Sequence, residues 1–265
     1  MDISFYEKWF AGYTAEIRSR ISGASVLPPD PVLDEVDLKI EHTYRVRNHC
    51  REIAMWLGLP KRDIGLAEII GLFHDLGRFR QALKFGTMDD RITGNHGQMS
   101  ADIFLDEVSK EKLRDDEVLI ISDALHYHNA FILPPALSTR SLLFTKLARD
   151  GDKLDIFRFY SDKAEKRVFR FIMSEGEGEY SPNMLEGVLR GENLRVSGIK
   201  NKNDRKLMQV SLVYDMNFGY SFERMLEKNY LAVLTGVSDG MADDTMQKVY
   251  AYATDWMRDK VGQRV

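Results

Sequence analysis

The stretch Glu68-Ile-Ile-Gly-Leu-Phe-His-Asp-Leu-Gly77 decides how the rest of the sequence is interpreted. It is apolar, has helical spacing, and ends on an adjacent histidine and aspartate, His74 and Asp75. Adjacent residues lie about 100° apart around a helix, so both side chains can approach one metal ion, or the aspartate can bridge two ions. Gly71 precedes them by one turn, and we expect it to leave room for a neighbouring helix. The alternative is an ordinary helix end with a solvated aspartate and a histidine at the negative end of the dipole.

The composition is that of an ordinary globular protein. The chain has 265 residues, of which 44% are hydrophobic and 29% charged, and its formal net charge is -4. This length suffices for one sizeable domain, or for a domain with an appendage. The charge does not indicate a nucleic-acid partner held through its phosphates. The single cysteine, Cys50, excludes an internal disulfide and a cysteine-rich zinc site, so metal ligands would have to be histidine, aspartate or glutamate.

The N-terminus has no basic start followed by an apolar run, as a signal peptide would have. No segment approaches the roughly 20 continuous apolar residues of a membrane span. We therefore expect a cytoplasmic protein with no membrane partner.

Helical periodicity runs through nearly the whole chain and predicts an all-α fold. We divide the chain into an N-terminal helix and connector (1–33), a core (34–160) and a helical C-terminal extension packed on the core (161–265). The predicted helices cover about 3–21, 34–57, 62–76, 96–108, 114–128, 138–160, 162–173, 220–235 and 242–261, with a short helix near Pro182. We expect an irregular stretch at 77–95, and a loop or short hairpin at 191–206.

Two further candidate ligands lie on other predicted helices. His42 shares the apolar face of its helix, so we expect it to be buried or to line a cleft. Asp152 lies inside a helix on a face of small residues, where a buried carboxylate needs a partner because an unpaired buried charge is costly. Asp150 and Asp155 point elsewhere and are expected to be solvated.

Two histidines near the end of one predicted helix cannot both face the core. The apolar stripe Val118, Ile121 and Leu125 continues to His128, whereas His126 lies about 200° away around the helix. Geometry therefore favours His128 as the inward-facing residue.

His96 lies in the stretch Thr93-Gly-Asn-His-Gly97, at the start of a predicted helix. Exposed backbone N–H groups at such a position favour anions. The alternative is a surface loop histidine.

The order of these residues in an all-helical frame resembles the HD superfamily of metal-dependent phosphohydrolases. Three stretches carry the resemblance: Leu72 to Arg78, with the pattern apolar-His-Asp-apolar-Gly-basic; Ala124 to Asn129, which fits a later ligand histidine best through His128; and Arg149 to Asp155, which is similar to the closing Asp-Lys-Leu segment. The resemblance covers about 34–160 and implies an HD-domain-like helical bundle with additional C-terminal helices. The Gly-Tyr-Pro signature of cyclic di-GMP phosphodiesterases does not occur, so that activity is disfavoured.

The resemblance implies one or two divalent transition-metal ions, such as Mn²⁺, Fe²⁺, Ni²⁺, Co²⁺ or Zn²⁺, on histidine and carboxylate ligands. The implied ligands are His42, His74, Asp75 and Asp152 for the first ion, and His96 and His128 for the second, with Asp75 as the bridge. Asp75 and Arg78 are the candidate catalytic residues, and Arg78 and His96 the candidate substrate-binding residues. Arg78 could bind phosphate oxygens through its guanidinium, or could be an ordinary cation at a helix end.

The predicted function is hydrolysis of a phosphate ester of a small metabolite or nucleotide by a metal-activated water. Two alternatives remain open, a di-iron oxygenase on the same ligands and a non-catalytic binding module stabilised by metal. The expected partner is a small phosphorylated substrate, with no nucleic acid, and a homo-oligomer also remains open.

Overall fold

The computed structural model describes residues 2–23, 29–108, 110–162 and 176–262. The regular elements in these ranges are all helices, which confirms the predicted all-α class. They form two compact units, Met1–Asp152 and Lys153–Val265. The division at residues 33 and 160, and the packing of the C-terminal part on the core, stay predictions. None of the described helices is both long enough and apolar enough to cross a membrane.

The first unit consists of helices that mostly follow the predicted order. They are α1 (Ser4–Ser22), α2 (Pro29–Trp56), α3 (Lys61–Phe73), α4 (Leu76–Phe85), α5 (Asp90–Thr93), α6 (His96–Glu107), α7 (Asp115–Tyr127) and α8 (Thr139–Ser161), the last of which continues into the second unit. Helix α2 begins at Pro29 rather than near residue 34. Proline is tolerated in a first helical turn because the backbone N–H groups there have no intrahelical acceptor.

The largest error in the first unit concerns the stretch expected to be irregular. Residues 76–85 form helix α4, with Leu76, Phe79 and Ala82 buried on one side. The predicted third helix therefore ends at Phe73, and α4 begins at Leu76, so that the two helices meet at the corner formed by His74 and Asp75. The polar residues of this stretch suggested a loop, but in the helix Lys84 is exposed whereas Gln81 is buried.

Helices α2 and α3 approach closely because Gly71 has no side chain. A Cβ atom there would lie 2.7 Å from the Cα atom of Arg47 and 3.0 Å from the Sγ atom of Cys50, which confirms the expected role of this glycine. On α8, a Cβ atom at Gly151 would lie 2.8 Å from the same Sγ atom. Two glycines thus let α3 and α8 pack against one side of α2.

Aromatic rings of α1 cover the outer side of α3 and α4. Tyr6 contacts Phe73 edge-on at 6.0 Å between ring centroids, and Phe10 contacts Phe79 at 5.7 Å. These rings are fully buried, and edge-to-face aromatic pairs add to the stabilisation from their buried area. Helix α1 therefore helps to hold the corner between α3 and α4.

The second unit contains shorter helices. They are α9 (Pro182–Leu189), α10 (Lys202–Ser211), α11 (Gly219–Glu227), α12 (Tyr230–Thr235) and α13 (Asp244–Lys260). The predicted short helix does begin at Pro182. The predicted helix at 162–173 falls outside the described residues, apart from residue 162.

Two expectations for the second unit are wrong. The stretch 191–206 was expected to be a loop or hairpin, but α10 begins inside it, where the side chain of Asn201 accepts a hydrogen bond from the backbone of Asp204. The predicted helix 220–235 is two helices, because Asn229 adopts a left-handed conformation with φ of 53°. Helical periodicity does not reveal a single left-handed residue.

Substituting Gly71 tests the close packing of α2 against α3. Gly71→Ala should lower the free energy of unfolding by about 1–3 kcal/mol, because the added methyl overlaps the backbone of α2. Gly12→Ala is the matched control, since a Cβ atom at this position in α1 would meet nothing within 4 Å. It should raise stability by about 0.5–1 kcal/mol through helix propensity. Urea unfolding of the metal-free protein measures both, and equal effects of the two substitutions would contradict the packing.

Candidate metal centre

The predicted ligands come from separate elements that converge in the first unit. His42 lies in the middle of α2, His74 and Asp75 form the corner between α3 and α4, and Asp152 lies on α8. Asp75 precedes α4 but its carboxylate does not cap that helix. The carboxylate instead points into a cluster of histidines.

The first group of this cluster consists of His42, His74 and Asp152. The Nε2 atom of His42 lies 3.2 Å from the Nε2 atom of His74 and 3.2 Å from an Oδ1 atom of Asp152. The Nε2 atom of His74 lies 3.8 Å from the same Oδ1 atom. The three side chains thus present one nitrogen or oxygen each to a common point.

The second group consists of Asp75, His96 and His128. The Nε2 atoms of the two histidines lie 3.1 Å apart. The Oδ1 atom of Asp75 lies 3.4 Å from the Nε2 atom of His96 and 3.9 Å from the Nε2 atom of His128. His96 is the first residue of α6, and His128 follows α7 directly. Arg149 donates hydrogen bonds to the backbone carbonyls of His128 and Tyr127, which fixes the chain where α7 ends.

Asp75 connects the two groups through its two oxygens. Its Oδ1 atom faces the second group, whereas its Oδ2 atom lies 3.2 Å from the Nε2 atom of His74 and 3.5 Å from that of His42. One carboxylate therefore contributes an oxygen to each side. This is the arrangement that a carboxylate bridging two ions requires.

Hydrogen bonds on the far side of the imidazole rings orient three of the histidines. The Nδ1 atoms of His74 and His128 lie 2.8 Å from the backbone carbonyls of Gly71 and Leu125, and the Nδ1 atom of His96 lies 2.7 Å from a carboxylate oxygen of Asp90. Each Nδ1 atom therefore carries the proton, and each Nε2 atom is left with a lone pair that faces the cluster. Metal-binding histidines are oriented in this way.

The charges of the cluster also favour a cation. Burial lowers the pKa of His96 and of His128, so both rings are neutral at neutral pH. Burial raises the pKa of Asp75, but its neighbours, foremost the ammonium group of Lys39, hold that pKa well below the ordinary aspartate value. Asp75 is therefore ionised although its side chain is buried.

The donor set fits one or two divalent metal ions. When both rings are neutral, the Nε2 atoms of His96 and His128 lie 3.1 Å apart and direct their lone pairs at each other. This arrangement is unfavourable without a cation between the two nitrogens. Ligand atoms about 2.1 Å from a common ion lie roughly 3.0–3.4 Å from one another, and most of the distances here fall in or near that range. Nitrogen and carboxylate donors suit Mn, Fe, Co, Ni or Zn.

Two charged residues next to the cluster were not identified from the sequence. The Nζ atom of Lys39 lies 2.5 Å from the Oδ2 atom of Asp75, and Asp90 holds the ring of His96. Lys39 precedes His42 by one helical turn, a spacing that places both on one face and could have indicated it. Asp90 carries no comparable signal, because its contact with His96 depends on the turn between α5 and α6.

Arg78 lies beside the cluster, as expected of a residue one turn after His74. Its Nε atom is 3.8 Å from the Oδ1 atom of Asp75, and its Nη1 atom donates to Asp90 at 2.9 Å and to the backbone carbonyl of Met88. Helix α4 carries this side chain, so the helix that was expected to be a loop determines its position.

Other candidates fall outside both groups. His126 is half-buried and stacks on Tyr127, with ring centroids 4.2 Å apart. Asp150 and Asp155, which were expected to be solvated, are buried, so that expectation is wrong. Asp155 accepts a hydrogen bond from Arg158 at 2.7 Å. The apolar stripe of α8 did not predict the burial of these two residues, because that helix is covered on more than one side.

Metal content distinguishes the two histidines near the end of α7. His128→Ala should reduce the metal bound at saturation from two ions per chain to one, because one of the two groups loses a nitrogen. His126→Ala should leave two ions, since this ring lies outside both groups. Elemental analysis after dialysis against Mn²⁺ measures the content, and a loss caused equally by both substitutions would contradict the assignment of His128.

Asp90 should influence only the second group. Asp90→Asn replaces the carboxylate that accepts from the Nδ1 atom of His96, and should weaken binding of the second ion about 10–100-fold while the first ion binds unchanged. Asp89→Asn is the matched control, because Asp89 caps α5 and pairs with Arg91. Calorimetric titration with Mn²⁺ measures both sites, and an equal loss at the first ion would argue for a general structural effect instead.

Comparison with known families agrees with this geometry. A family model described as HD domain matches residues 40–156, which include all six residues of the two groups. No curated protein and no solved structure matches the chain. The match covers α3 to α7 completely and parts of α2 and α8. Residues 40–156 of the chain are therefore similar to the HD domain, an all-α fold.

Proposed function

We propose that this chain is a metal-dependent phosphohydrolase that cleaves a phosphate ester of a small metabolite or nucleotide. The observation that carries the proposal is the carboxylate of Asp75, which directs one oxygen to each of two groups of buried donors. The similarity of residues 40–156 to the HD domain supports phosphorus as the centre of attack, because metal-dependent phosphohydrolases are typical of that family.

The residues of the cluster would bind the ions and hold them in place. His42, His74 and Asp152 would bind the first ion, His96 and His128 the second, and Asp75 both. When bound, such ions lower the pKa of water towards about 7 and neutralise charge on a phosphoryl group. His96 and His128 would accept this role without a change of protonation, since burial lowers the pKa of both rings.

Arg78 would contact the phosphate of the substrate. Its side chain is 19% exposed and lies between Asp75 and Asp90. The Nη1 atom makes its hydrogen bonds to neighbouring residues, so other N–H groups of the guanidinium remain for phosphate oxygens. Asp90 thereby positions both this arginine and His96.

A screen of nucleotides and phosphomonoesters tests the proposal directly. Protein loaded with Mn²⁺, Co²⁺ or Ni²⁺ should release inorganic phosphate, and His74→Ala should reduce the rate by about 100-fold or more because the first ion loses a ligand. His49→Ala is the matched control, since this residue of α2 lies 3.7 Å from Glu52 and outside both groups.

Two outcomes of this screen would contradict the proposal. Substrate-dependent consumption of O₂ without release of phosphate would indicate a di-iron oxygenase on the same ligands. Absence of turnover over the whole panel, with metal bound, would indicate a binding module in which the metal has a structural role.

A further inference from the structure

Lys39 is a charged residue at the metal centre that the function proposed above does not use. It lies on α2, three residues before His42, and its Nζ atom contacts the Oδ2 atom of Asp75 at 2.5 Å. Its ammonium group is therefore adjacent to the oxygen that faces the first group of donors. Arg78 lies near the other oxygen of the same carboxylate, Oδ1.

The ammonium group of Lys39 has donors to spare. A lysine has three N–H donors and no acceptor. Among the described residues, Asp75 is the acceptor that this ammonium contacts. Two N–H groups of Lys39 thus remain for a ligand, beside the N–H groups of Arg78 that do not donate to Asp90 or to the backbone.

Solvent reaches the cluster on the side where Lys39 lies. The side chains of Lys39, Arg78 and Asp152 are 17–19% exposed. The side chains of Asp75 and the four histidines are 10% exposed or less. A substrate that enters from solvent therefore meets the side chains of Lys39 and Arg78 before it reaches the histidines.

We propose that Lys39 is a substrate-binding residue that selects a terminal phosphate, which is a phosphomonoester dianion, over a phosphodiester monoanion. This inference rests on the proposed function. The three carboxylates of the centre, Asp75, Asp90 and Asp152, face two side-chain cations, and two divalent ions would add four positive charges. The excess of positive charge favours the more highly charged ester, since a monoester carries -1.5 to -2 near neutral pH. Lys39 provides a hydrogen-bond donor for the additional unesterified oxygen.

Binding of inorganic phosphate to the Mn²⁺-loaded protein tests the contact without turnover. Lys39→Met removes the charge and should weaken phosphate binding about 10-fold or more, while Lys39→Arg should stay within about 3-fold of the wild type. Arg51→Met is the matched control, because it removes a cation from the same helix roughly 18 Å away, and should leave binding unchanged. Lys39→Gln repeats the test should the methionine variant fold poorly. Unchanged phosphate binding in both neutral variants would overturn the proposal.

Hydrolysis of p-nitrophenyl phosphate and of bis(p-nitrophenyl) phosphate tests the selection. Lys39→Met should reduce kcat/KM for the monoester at least 10-fold more than for the diester, chiefly through KM. Equal losses for both esters would assign Lys39 to the support of Asp75 and overturn the selection. If the wild type hydrolyses neither ester and no member of the nucleotide and phosphomonoester panel, but binds phosphate in a Lys39-dependent manner, the proposed function fails while the phosphate contact stands.

Discussion

The metal centre depends on one buried carboxylate that two groups of donors share. Asp75 is almost fully buried, and an ionised carboxylate in that position is costly unless positive charge or hydrogen bonds compensate it. Lys39 compensates the Oδ2 atom directly, and ions bound by the histidines of the two groups would compensate both oxygens. The helices must therefore meet at one point, because either oxygen would be left without a partner if one group moved away.

The corner between α3 and α4 makes this sharing possible. A continuous helix through residues 62–76 would place His74 and Asp75 about 100° apart on its surface. The break after Phe73 instead lets Asp75 leave the helical path, so that both of its oxygens reach different partners. Gly71 contributes twice, since its missing side chain admits α2 and its carbonyl orients the ring of His74.

Sequence patterns predicted those features of the structure that depend on the spacing of residues within one helix. Helical periodicity predicted the all-α class, and the stripe on α7 correctly favoured His128 over His126 as the residue that faces inward. The resemblance to the HD family brought together His42, His74 and Asp152, which lie far apart in the sequence and which periodicity alone could not associate.

The features that sequence reasoning missed depend on tertiary contacts. Helix α4 was expected to be irregular because it lies in a polar stretch that contains Gly86 and Gly94, and only its packing reveals the buried stripe. Asp90 begins the four-residue helix α5, which is too short for a periodic pattern to indicate that its carboxylate reaches His96. Asp150 and Asp155 were expected to be solvated because they lie off one apolar stripe, but residues on several sides cover α8.

The most direct measurement of the central claim is anomalous diffraction at the manganese absorption edge from crystals grown with Mn²⁺. A centre bridged by Asp75 predicts two anomalous peaks per chain, about 3.5–4 Å apart, with one carboxylate oxygen directed at each. A single peak held by His42, His74 and Asp152, with the Oδ1 atom of Asp75 bonded to a protonated histidine instead, would contradict it.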